Sequence, residues 1–435
     1  MNPTHLQIFA TVIFVLAITH TFLVKFFETK AHHYEPGSMG YNFYHFLAEV
    51  EVVFGLWSAV FFIGYCFFES FKTYGADGKL VSGAVHYIQN LNFTEPIFVA
   101  VVMAMAGTRP VILFARKIVF DIANILPFQD KMSFYVTALV FGPLLGSFIT
   151  EPAAMTLTAL VLADVLYRGG MSERFKYATI GLLFVNISIG GTLTHFAAPP
   201  VVMVAGKWNW DMAYMFTHFG FKSIISILVS TAAIAFLFKK ELQGSLDRLE
   251  EKTDDLLTPQ WWKVWVHLGF LALTVYVSHY QYMVLGLFVF FIGFTKITER
   301  YQTPVKIRES LLVGFFLSGL IVLGTLQDWW LRPLLANLND IQLYFGATFL
   351  TAITDNAALT YLGSLVELSE SAKYSLVAGA VTGGGLTVIA NAPNPIGYGI
   401  LKEYFNNGIS PWNLFKWAMF PTVVTIICFE LIGNL

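Results

Sequence analysis

The sequence has few charged residues. Asp, Glu, Lys and Arg make up only 12% of its 435 residues, whereas soluble proteins contain about 25%. This deficit excludes a soluble globular protein, and it is concentrated in long uncharged runs that predict membrane-spanning helices. We therefore expect an all-α integral membrane protein. The uncharged runs are residues 6–24, 52–68, 132–150, 177–206, 223–238, 264–295, 311–327 and 374–401.

Other scarcities exclude further classes of protein. The chain has two cysteines, both within apolar runs, so a disulfide framework is not expected. A net charge of −2 disfavours nucleic acid as a partner. The sequence contains no P-loop, no Cys/His cluster of the metal-binding type and no Gly-x-Ser-x-Gly motif. We therefore expect neither an enzyme nor an ATP-driven pump, and no cofactor.

A short polar motif occurs twice in this apolar sequence. Its copies span residues 149–156 and 353–360 and read I-T-acid-x-A-A-apolar-T. The copies lie 204 residues apart (354 − 150), which matches Thr150 with Thr354 and Glu151 with Asp355. A duplicated motif in a membrane protein indicates a transporter built from two structural repeats, with its site between them.

Each motif lies within a stretch that predicts a re-entrant helical hairpin, residues 132–166 and 341–366. As one straight helix the first stretch would need about 50 Å at about 1.5 Å per residue, which exceeds the thickness of the membrane core. Non-helical backbone at that depth is tolerated only where protein or a water-filled cavity surrounds it. We therefore place both motifs at hairpin tips inside the protein.

Each hairpin is followed by a span that glycine and proline interrupt, residues 177–206 and 374–404. Paired glycines and prolines are incompatible with a regular helix, so both spans are predicted to be discontinuous, with their broken backbone facing the hairpin tips. The residues expected to break the helices are Gly190, Gly191, Pro199 and Pro200 in the first span, and Gly384, Gly385, Pro393 and Pro395 in the second.

Polar residues near the breaks are further candidates. Thr194 and Thr387 occupy matched positions, and we expect either a site role or a hydrogen bond to a carbonyl of their own helix. Asn391 and Asn394 lie in the second break, where we expect them to bind a ligand or to cap the backbone. His195 is a lone histidine, for which packing is favoured over a proton relay.

The chain divides into a first repeat, residues 1–238, and a second repeat, residues 264–435, joined by a polar linker at 239–263. Each repeat is predicted to have five crossings and one hairpin, and an odd number of crossings inverts the second copy. Seven Lys and Arg residues flank the first hairpin and the surface helix predicted at 109–125, against two at the corresponding places of the second repeat. The positive-inside rule then places the linker in the cytoplasm and residues 328–340 outside.

The two motif carboxylates carry the strongest functional signal. An acidic side chain inside a membrane costs several kcal/mol unless it is paired, hydrated or protonated, which makes Glu151 and Asp355 functional candidates. Such a group can hold a proton or a hard cation such as Na⁺, and the amide oxygen of Asn356 could complete a cation site with Asp355. The structural alternative is that the acids cap the second arm of each hairpin.

Three other ionisable residues lie at or within predicted spans. Glu49 and Glu51 are at the start of the span predicted at 45–68, where the headgroup region is favoured over an access vestibule. Lys222 lies within the span predicted at 213–238, and we expect its amine to reach the membrane interface.

The Thr354-Asp355-Asn356 motif, with a Gly/Thr-rich span broken by proline, resembles the ion-transporter superfamily of sodium/proton antiporters, dicarboxylate transporters and arsenite pumps. The whole chain is most similar to a sodium/proton antiporter family of that superfamily. The resemblance implies inverted repeats, Na⁺ and H⁺ as transported ions, and a homodimer with residues 45–110 as scaffold. It also implies a multi-pass protein of a bacterial inner membrane. The roles in substrate and ion binding would fall on Thr150, Glu151, Thr354, Asp355, Asn356, Asn391 and Pro393.

Two departures from the superfamily pattern bear on the substrate. Dicarboxylate carriers typically have Ser-Asn-Thr at both tips, whereas both tips here carry an acid, and Pro152 replaces the amide at the first. Acids favour a cation or a proton. The alternative is an ion-coupled dicarboxylate or oxyanion transporter, in which helix N-termini would hold the anion, but the tips and the Gly/Pro segments that break the spans, residues 190–200 and 383–395, contain no Lys or Arg to pair with it.

Overall fold

The computed structural model describes residues 3–68, 72–74, 80–169, 171–244, 261–301, 304–406 and 408–433. Most of these residues are helical. By length and composition, seven helices in the described residues can cross a membrane, or eight if the bent pair Gly83–Gln89 and Thr94–Ala106 forms one span. The prediction of a helical, multi-span membrane protein is thereby confirmed, while five crossings per repeat stay a prediction.

The α-helices of the described residues are numbered α1 to α21 in chain order. Up to residue 244 they are α1 (His5–Ala31), α2 (Met39–Leu47), α3 (Val53–Phe68), α4 (Gly83–Gln89), α5 (Thr94–Ala106), α6 (Arg109–Ile125), α7 (Asp130–Ile149), α8 (Glu151–Val165), α9 (Glu173–Gly190), α10 (Pro199–Trp208), α11 (Met212–Met215) and α12 (Phe221–Leu237). From residue 261 they are α13 (Trp261–Tyr276), α14 (Gln281–Ile297), α15 (Ile307–Gly324), α16 (Asp328–Leu335), α17 (Asp340–Ile353), α18 (Asn356–Ser364), α19 (Glu370–Gly383), α20 (Asn394–Leu401) and α21 (Pro411–Leu431).

One small sheet adds to the helices and was not predicted. Its strands β1 (Lys72–Tyr74) and β2 (Leu80–Ser82) pair antiparallel, with Thr73 opposite Val81. The sequence between the strands, residues 75–79, contains two glycines and an aspartate, which are common turn residues. Three-residue strands carry too short an alternating pattern for the sequence to reveal them.

The span predicted at 45–68 is interrupted near its start. Helix α2 ends at Leu47, Glu49 has extended backbone, and a 3₁₀ turn, Val50–Val52, precedes α3. Both the 3₁₀ turn and α3 pack against α15. At this contact the backbone of Phe54 lies where a side chain at Gly319 would have to be, so only glycine permits the close approach.

Helix α6 has the amphipathic character expected of a helix along the membrane surface. Val111, Ala115 and Val119, spaced four residues apart, are buried on one side. Lys117 and Asp121 form an exposed ion pair at 3.1 Å. This spacing places apolar and charged residues on different faces of one helix.

Helices α7 and α8 form a tight hairpin that turns at Thr150. A side chain at Gly142 would collide with Thr158, and one at Gly146 would lie 3.3 Å from the Ala154 methyl, so two glycines spaced by four residues let the arms meet. Thr150 itself has φ 71° and ψ 151°. Positive φ is rare for a β-branched residue, so the tip holds strained backbone, a feature that is concentrated at functional sites.

The second hairpin is built differently. Helix α17 ends at Ile353, and α18 begins at Asn356, so two residues separate the helices. Helix α17 packs mainly against α19, where Gly379 and Gly383 leave room for the backbone carbonyls of Tyr344 and Thr348. Helix α18 packs chiefly against α10 of the first half.

Both spans that follow the hairpins are discontinuous helices. Helix α9 ends at Gly190, continues as a 3₁₀ turn to Leu193 and becomes extended at Thr194 before α10 begins at Pro199. Helix α19 ends at Gly383, and non-helical residues 384–393 separate it from α20. Proline within the first turn of α10 and α20 is compatible with a helix start, because the missing N–H has no partner there in any case.

The two discontinuous helices contact each other next to their breaks. Ser188 in α9 donates a hydrogen bond to the Val381 carbonyl in α19 at 2.7 Å. Gly385 lies against the backbone of Val185, where any side chain would collide with it. The continuation of the second broken span, α20, packs on α8 of the first hairpin, as α10 packs on α18. Each hairpin therefore contacts the broken helix of the other half.

The two predicted repeats do not form separate domains, because helices of the first repeat pack against helices of the second. Helix α3 packs against α15, and α9 packs against α21. Of the predicted linker at 239–263, residues 245–260 lie outside the described residues.

Candidate functional site

Glu151 lies at the start of α8 and is fully buried, with 0% of its surface exposed. The side-chain amide of Asn391, in the second break, donates a hydrogen bond to Glu151 Oε2 at 2.9 Å. The other oxygen, Oε1, has no hydrogen-bond partner in the described part of the chain. This contact joins the first hairpin tip to the second broken helix, 240 residues further along the chain.

Gly191 provides the space that Glu151 occupies. A Cβ atom at position 191 would lie 2.6 Å from Glu151 Oε1 and 2.8 Å from its Cγ. Separations below 3.0 Å essentially never occur for real Cβ atoms. The first break therefore contacts the first tip, and its glycine is required by close approach.

Asp355 is the N-cap of α18, as the structural alternative expected. Its Oδ1 accepts hydrogen bonds from the backbone N–H groups of Ala357 at 2.9 Å and Ala358 at 3.0 Å. Both bonds go to the same oxygen, which leaves Oδ2 for another partner. Because Asp355 also lines a cleft, capping and ligand binding are compatible here.

The cleft is small, with a cavity volume of about 20 Å³, and lies between the 3₁₀ turn before α3, helix α15, the second tip and the second break. Asp355 and Asn391 both line the cleft. Glu51 lines it as well, although the sequence favoured the headgroup region for this residue over an access vestibule. None of the described residues that line it is Lys or Arg. The lining residues are Val50, Glu51, Val313, Phe316, Asp355, Val388, Ile389, Asn391, Ala392 and Pro395.

Asn356 faces a different environment from Asp355. Its backbone N–H donates to the Ala390 carbonyl at 3.1 Å, which attaches the second tip to the second break. Its buried side chain lies beside Gly384, where an added Cβ would be 2.9 Å from Nδ2 and 2.2 Å from Ser188 Oγ. Neither polar atom of the Asn356 side chain has a partner. Asn356 is not among the residues that line the cleft.

Asn394 holds the unwound backbone of the second break. Its Nδ2 donates to the carbonyls of Gly384 at 2.7 Å and Thr387 at 2.8 Å. Its Oδ1, like that of Asn391, is buried without a partner. The backbone-cap role expected for this residue is therefore present in the geometry.

The candidate threonines differ from one another. Thr194 Oγ1 donates to the Ser147 carbonyl and Thr387 Oγ1 to the Ala352 carbonyl, so each ties a break to the first arm of its own hairpin rather than to its own helix. Thr354 Oγ1 donates to the Leu350 carbonyl one turn earlier. Of these four threonines, Thr150 alone has a buried hydroxyl with no partner among the described residues.

The residues expected to break the helices lie at or next to the helix ends. Gly190 is the last residue of α9, and Gly384 follows the last residue of α19. The positions of the others are as follows: Gly191 is in the 3₁₀ turn, Pro199 and Pro200 begin α10, Gly385 is in the second break, Pro393 precedes α20 and Pro395 is in its first turn.

The expectation for Lys222 was wrong. The residue is 2% exposed, and its Nζ donates to the Tyr374 hydroxyl at 2.9 Å and lies 4.6 Å from the centre of that ring. Helices α12 and α19 converge at this point, so the amine finds a partner inside the protein. The sequence could not show this, because Tyr374 is 152 residues away. His195 packs edge-on against the neighbouring Phe196, while its buried Nδ1 has no partner among the described residues, so the choice between packing and a proton relay stays a prediction.

The comparisons with known proteins bear on the whole chain. No curated protein matches it. A family model described as "Putative Na+/H+ antiporter" matches residues 5–432. That range includes both hairpins, both breaks and the cleft. The family supports a cation transporter with Na⁺ and H⁺ as substrates and agrees with the helical, multi-span fold. The chain belongs to the putative Na+/H+ antiporter family.

Proposed function

We propose that this protein is a secondary active transporter that exchanges Na⁺ for H⁺ by alternating access. The observation that carries the proposal is the hydrogen bond between Asn391 and Glu151. It connects the acid of the first tip to the wall of the cleft in which Asp355 lies. The two matched acids, 204 residues apart in sequence, are thereby linked through one amide side chain.

Asp355 is the group at which cation and proton compete. The two capping bonds of Asp355 both go to Oδ1, so its Oδ2 is available to a cation. Asn391 lines the same cleft, and its amide oxygen, Oδ1, has no partner among the described residues. A carboxylate and an amide oxygen are ligands that a hard cation prefers. Asn356 was expected to complete this site, but its side chain lies beside Ser188 and Gly384. We therefore assign the amide ligand to Asn391.

Glu151 is the second titratable group of the exchange site. Its Oε2 accepts from Asn391, so the charge state of Glu151 influences the orientation of the amide that serves the cation. The buried Oδ1 of Asn394 and the hydroxyl of Thr150 are further oxygen atoms without partners. We assign these groups to the path by which the ion leaves the cleft.

The proposed architecture is a pair of inverted repeats with re-entrant hairpins. Its support is a pair of equivalent hydrogen bonds, one in each half. In each, a threonine hydroxyl of the broken span donates to a carbonyl of the preceding hairpin, Thr194 to Ser147 and Thr387 to Ala352. Residues 1–238 and 264–435 are the two repeats, with the linker at 239–263 in the cytoplasm. We further propose a homodimer in a bacterial inner membrane, with residues 45–110 as scaffold, as the resemblance of the sequence implies.

Proteoliposomes that contain a trapped pH dye test the function. Wild-type protein should move protons when Na⁺ or Li⁺ is added, and the apparent KM for Na⁺ should rise as the pH falls, because one carboxylate serves both ions. Asp355→Asn keeps the size and the capping oxygen but loses the charge, so it should stop exchange. Glu151→Gln should weaken exchange or shift its pH profile.

Asp340→Asn is the matched control, since Asp340 is an exposed residue at the other end of the same hairpin. It should exchange ions at the wild-type rate. Strong Na⁺-driven proton movement by Asp355→Asn protein would disprove the mechanism. Proton movement driven by dicarboxylates in place of Na⁺ would instead identify an anion carrier.

A further inference from the structure

The cleft has a second carboxylate that comes from outside the hairpins and the broken helices. Glu51 lies in the 3₁₀ turn between α2 and α3 and lines the cleft together with Asp355. Both side chains line one cleft of about 20 Å³, which places the two carboxylates near each other. Carboxylates that share a cleft repel each other unless a proton or a cation relieves the repulsion.

The neighbouring acid, Glu49, is already neutralised and does not line the cleft. Its Oε1 accepts from the guanidinium of Arg308 at 2.6 Å, at the start of α15. His45 approaches the same oxygen at 3.7 Å. Glu51 forms no ion pair within 4 Å in the described part of the chain, although Glu49 and Arg308 act on it electrostatically. Two acids spaced by two residues therefore differ in role.

Asn391 independently indicates a ligand at this position. The residue is 1% exposed and lines the cleft, its Nδ2 is bonded to Glu151, and its Oδ1 has no partner. A buried amide oxygen without a donor is costly. A cation in the cleft would satisfy this oxygen and both carboxylates together.

The wall that carries Glu51 is held firmly. Gly319 of α15 lies against the backbone of Phe54, three residues after Glu51, at a distance that no larger residue permits. The opposite wall consists of the second tip and the second break, which the Asn356-to-Ala390 backbone bond joins. A cation bound between the walls would connect two separately packed parts of the protein.

We propose that Glu51 is a direct ligand of the transported cation, which binds between Glu51, Asp355 and the Asn391 amide oxygen. This inference rests on the proposed exchange function and extends its binding site to a residue of the α2–α3 turn. The ligand class is a small hard cation, Na⁺ or Li⁺, since all three donors are oxygen atoms.

Binding of ²²Na⁺ to the purified full-length protein tests the inference without depending on transport. Glu51→Gln should weaken Na⁺ binding at least tenfold, whereas Glu51→Asp, which keeps the charge, should weaken it by only a few-fold. Glu49→Gln is the matched control, since it removes a charge two residues away that does not line the cleft, and its affinity should stay within threefold of wild type.

The outcomes separate this inference from the proposed function. Wild-type affinity in Glu51→Gln, together with lost binding in Asp355→Asn, would overturn the role of Glu51 alone. A wild-type protein that binds neither Na⁺ nor Li⁺ at any pH would overturn both. Equal losses of Na⁺ affinity in Glu51→Gln and Glu49→Gln would also overturn the role of Glu51, because they would indicate a nonspecific effect of charge.

A second measurement covers the case in which Glu51→Gln does not fold. Glu51→Cys combined with Asp355→Cys, in a background of Cys66→Ser and Cys428→Ser, places two thiols in the cleft. The pair should bind Cd²⁺ at least tenfold more tightly than either single cysteine variant, because two ligands then share the ion. Affinity no higher than that of the single variants would show that residues 51 and 355 do not share a ligand.

Discussion

Substitution of Gly191 by alanine should disturb the site through a single methyl group. The new Cβ would lie 2.6 Å from Glu151 Oε1, 2.8 Å from Glu151 Cγ and 3.1 Å from the Ala198 methyl. Glu151 is 0% exposed, so its side chain has little space into which to move. Any shift that removes the overlap lengthens or breaks the 2.9 Å bond from Asn391.

The expected cost follows from these two effects. Overpacking a well-packed interior costs about 1–3 kcal/mol, and losing a hydrogen bond to a charged group costs about 1.5–3 kcal/mol. We expect roughly 3 kcal/mol in all, because relaxation of the 3₁₀ turn recovers part of the sum. Since about 1.4 kcal/mol corresponds to a factor of ten, exchange should fall roughly a hundredfold if the cost falls on the functional state.

Two assays measure the effect. Thermal unfolding followed by tryptophan fluorescence reports stability, and dye-loaded proteoliposomes report Na⁺-driven proton movement. Gly399→Ala is the control, because a Cβ at that position in α20 would meet no described atom within 4 Å other than its chain neighbours and the nearby backbone of its own helix. Adding Glu151→Asp to Gly191→Ala shortens the obstructing side chain and should restore part of the lost Tm. A Gly191→Ala protein with wild-type Tm and exchange would refute the reasoning.

Three further predictions follow from single contacts. Gly384→Ala should reduce Tm and exchange, since its Cβ would lie 2.2 Å from Ser188 Oγ. Adding Ser188→Gly removes that atom and should restore part of the loss. No rescue would show that the contact with Ser188 is not the cause. Tyr374→Phe removes an acceptor of Lys222 and the 2.7 Å hydrogen bond to the Phe429 carbonyl. It should lower the free energy of unfolding by about 1–3 kcal/mol and therefore lower Tm. An unchanged Tm would contradict this prediction. The predicted orientation can be tested in a protein with Cys66 and Cys428 replaced by serine. Asn337→Cys should react with an impermeant thiol reagent in intact cells, and Ser245→Cys should not. The reverse pattern would overturn the predicted orientation.

The sequence alone determined the class of the protein and the position of its helices along the chain. Uncharged runs predict spans because burying charge in a bilayer is costly, and this depends on composition over about twenty residues. The breaks were predictable for a similarly local reason: Gly190, Gly191 and Pro199 interrupt a helix whatever surrounds them. The duplication of the acid motif was also visible, because an internal repeat needs no structure to be seen.

The tertiary structure decided which side chains meet. Asn391 reaches Glu151 across 240 residues, and Tyr374 rather than the membrane interface receives Lys222 across 152 residues. Glu51 joins the cleft because the turn before α3 packs against α15, and no local sequence pattern encodes that contact. Asp355 and Asn356, adjacent in sequence, face different environments because successive residues at a helix start point about 100° apart. Long-range packing, not residue type, therefore decided which polar groups share the cleft.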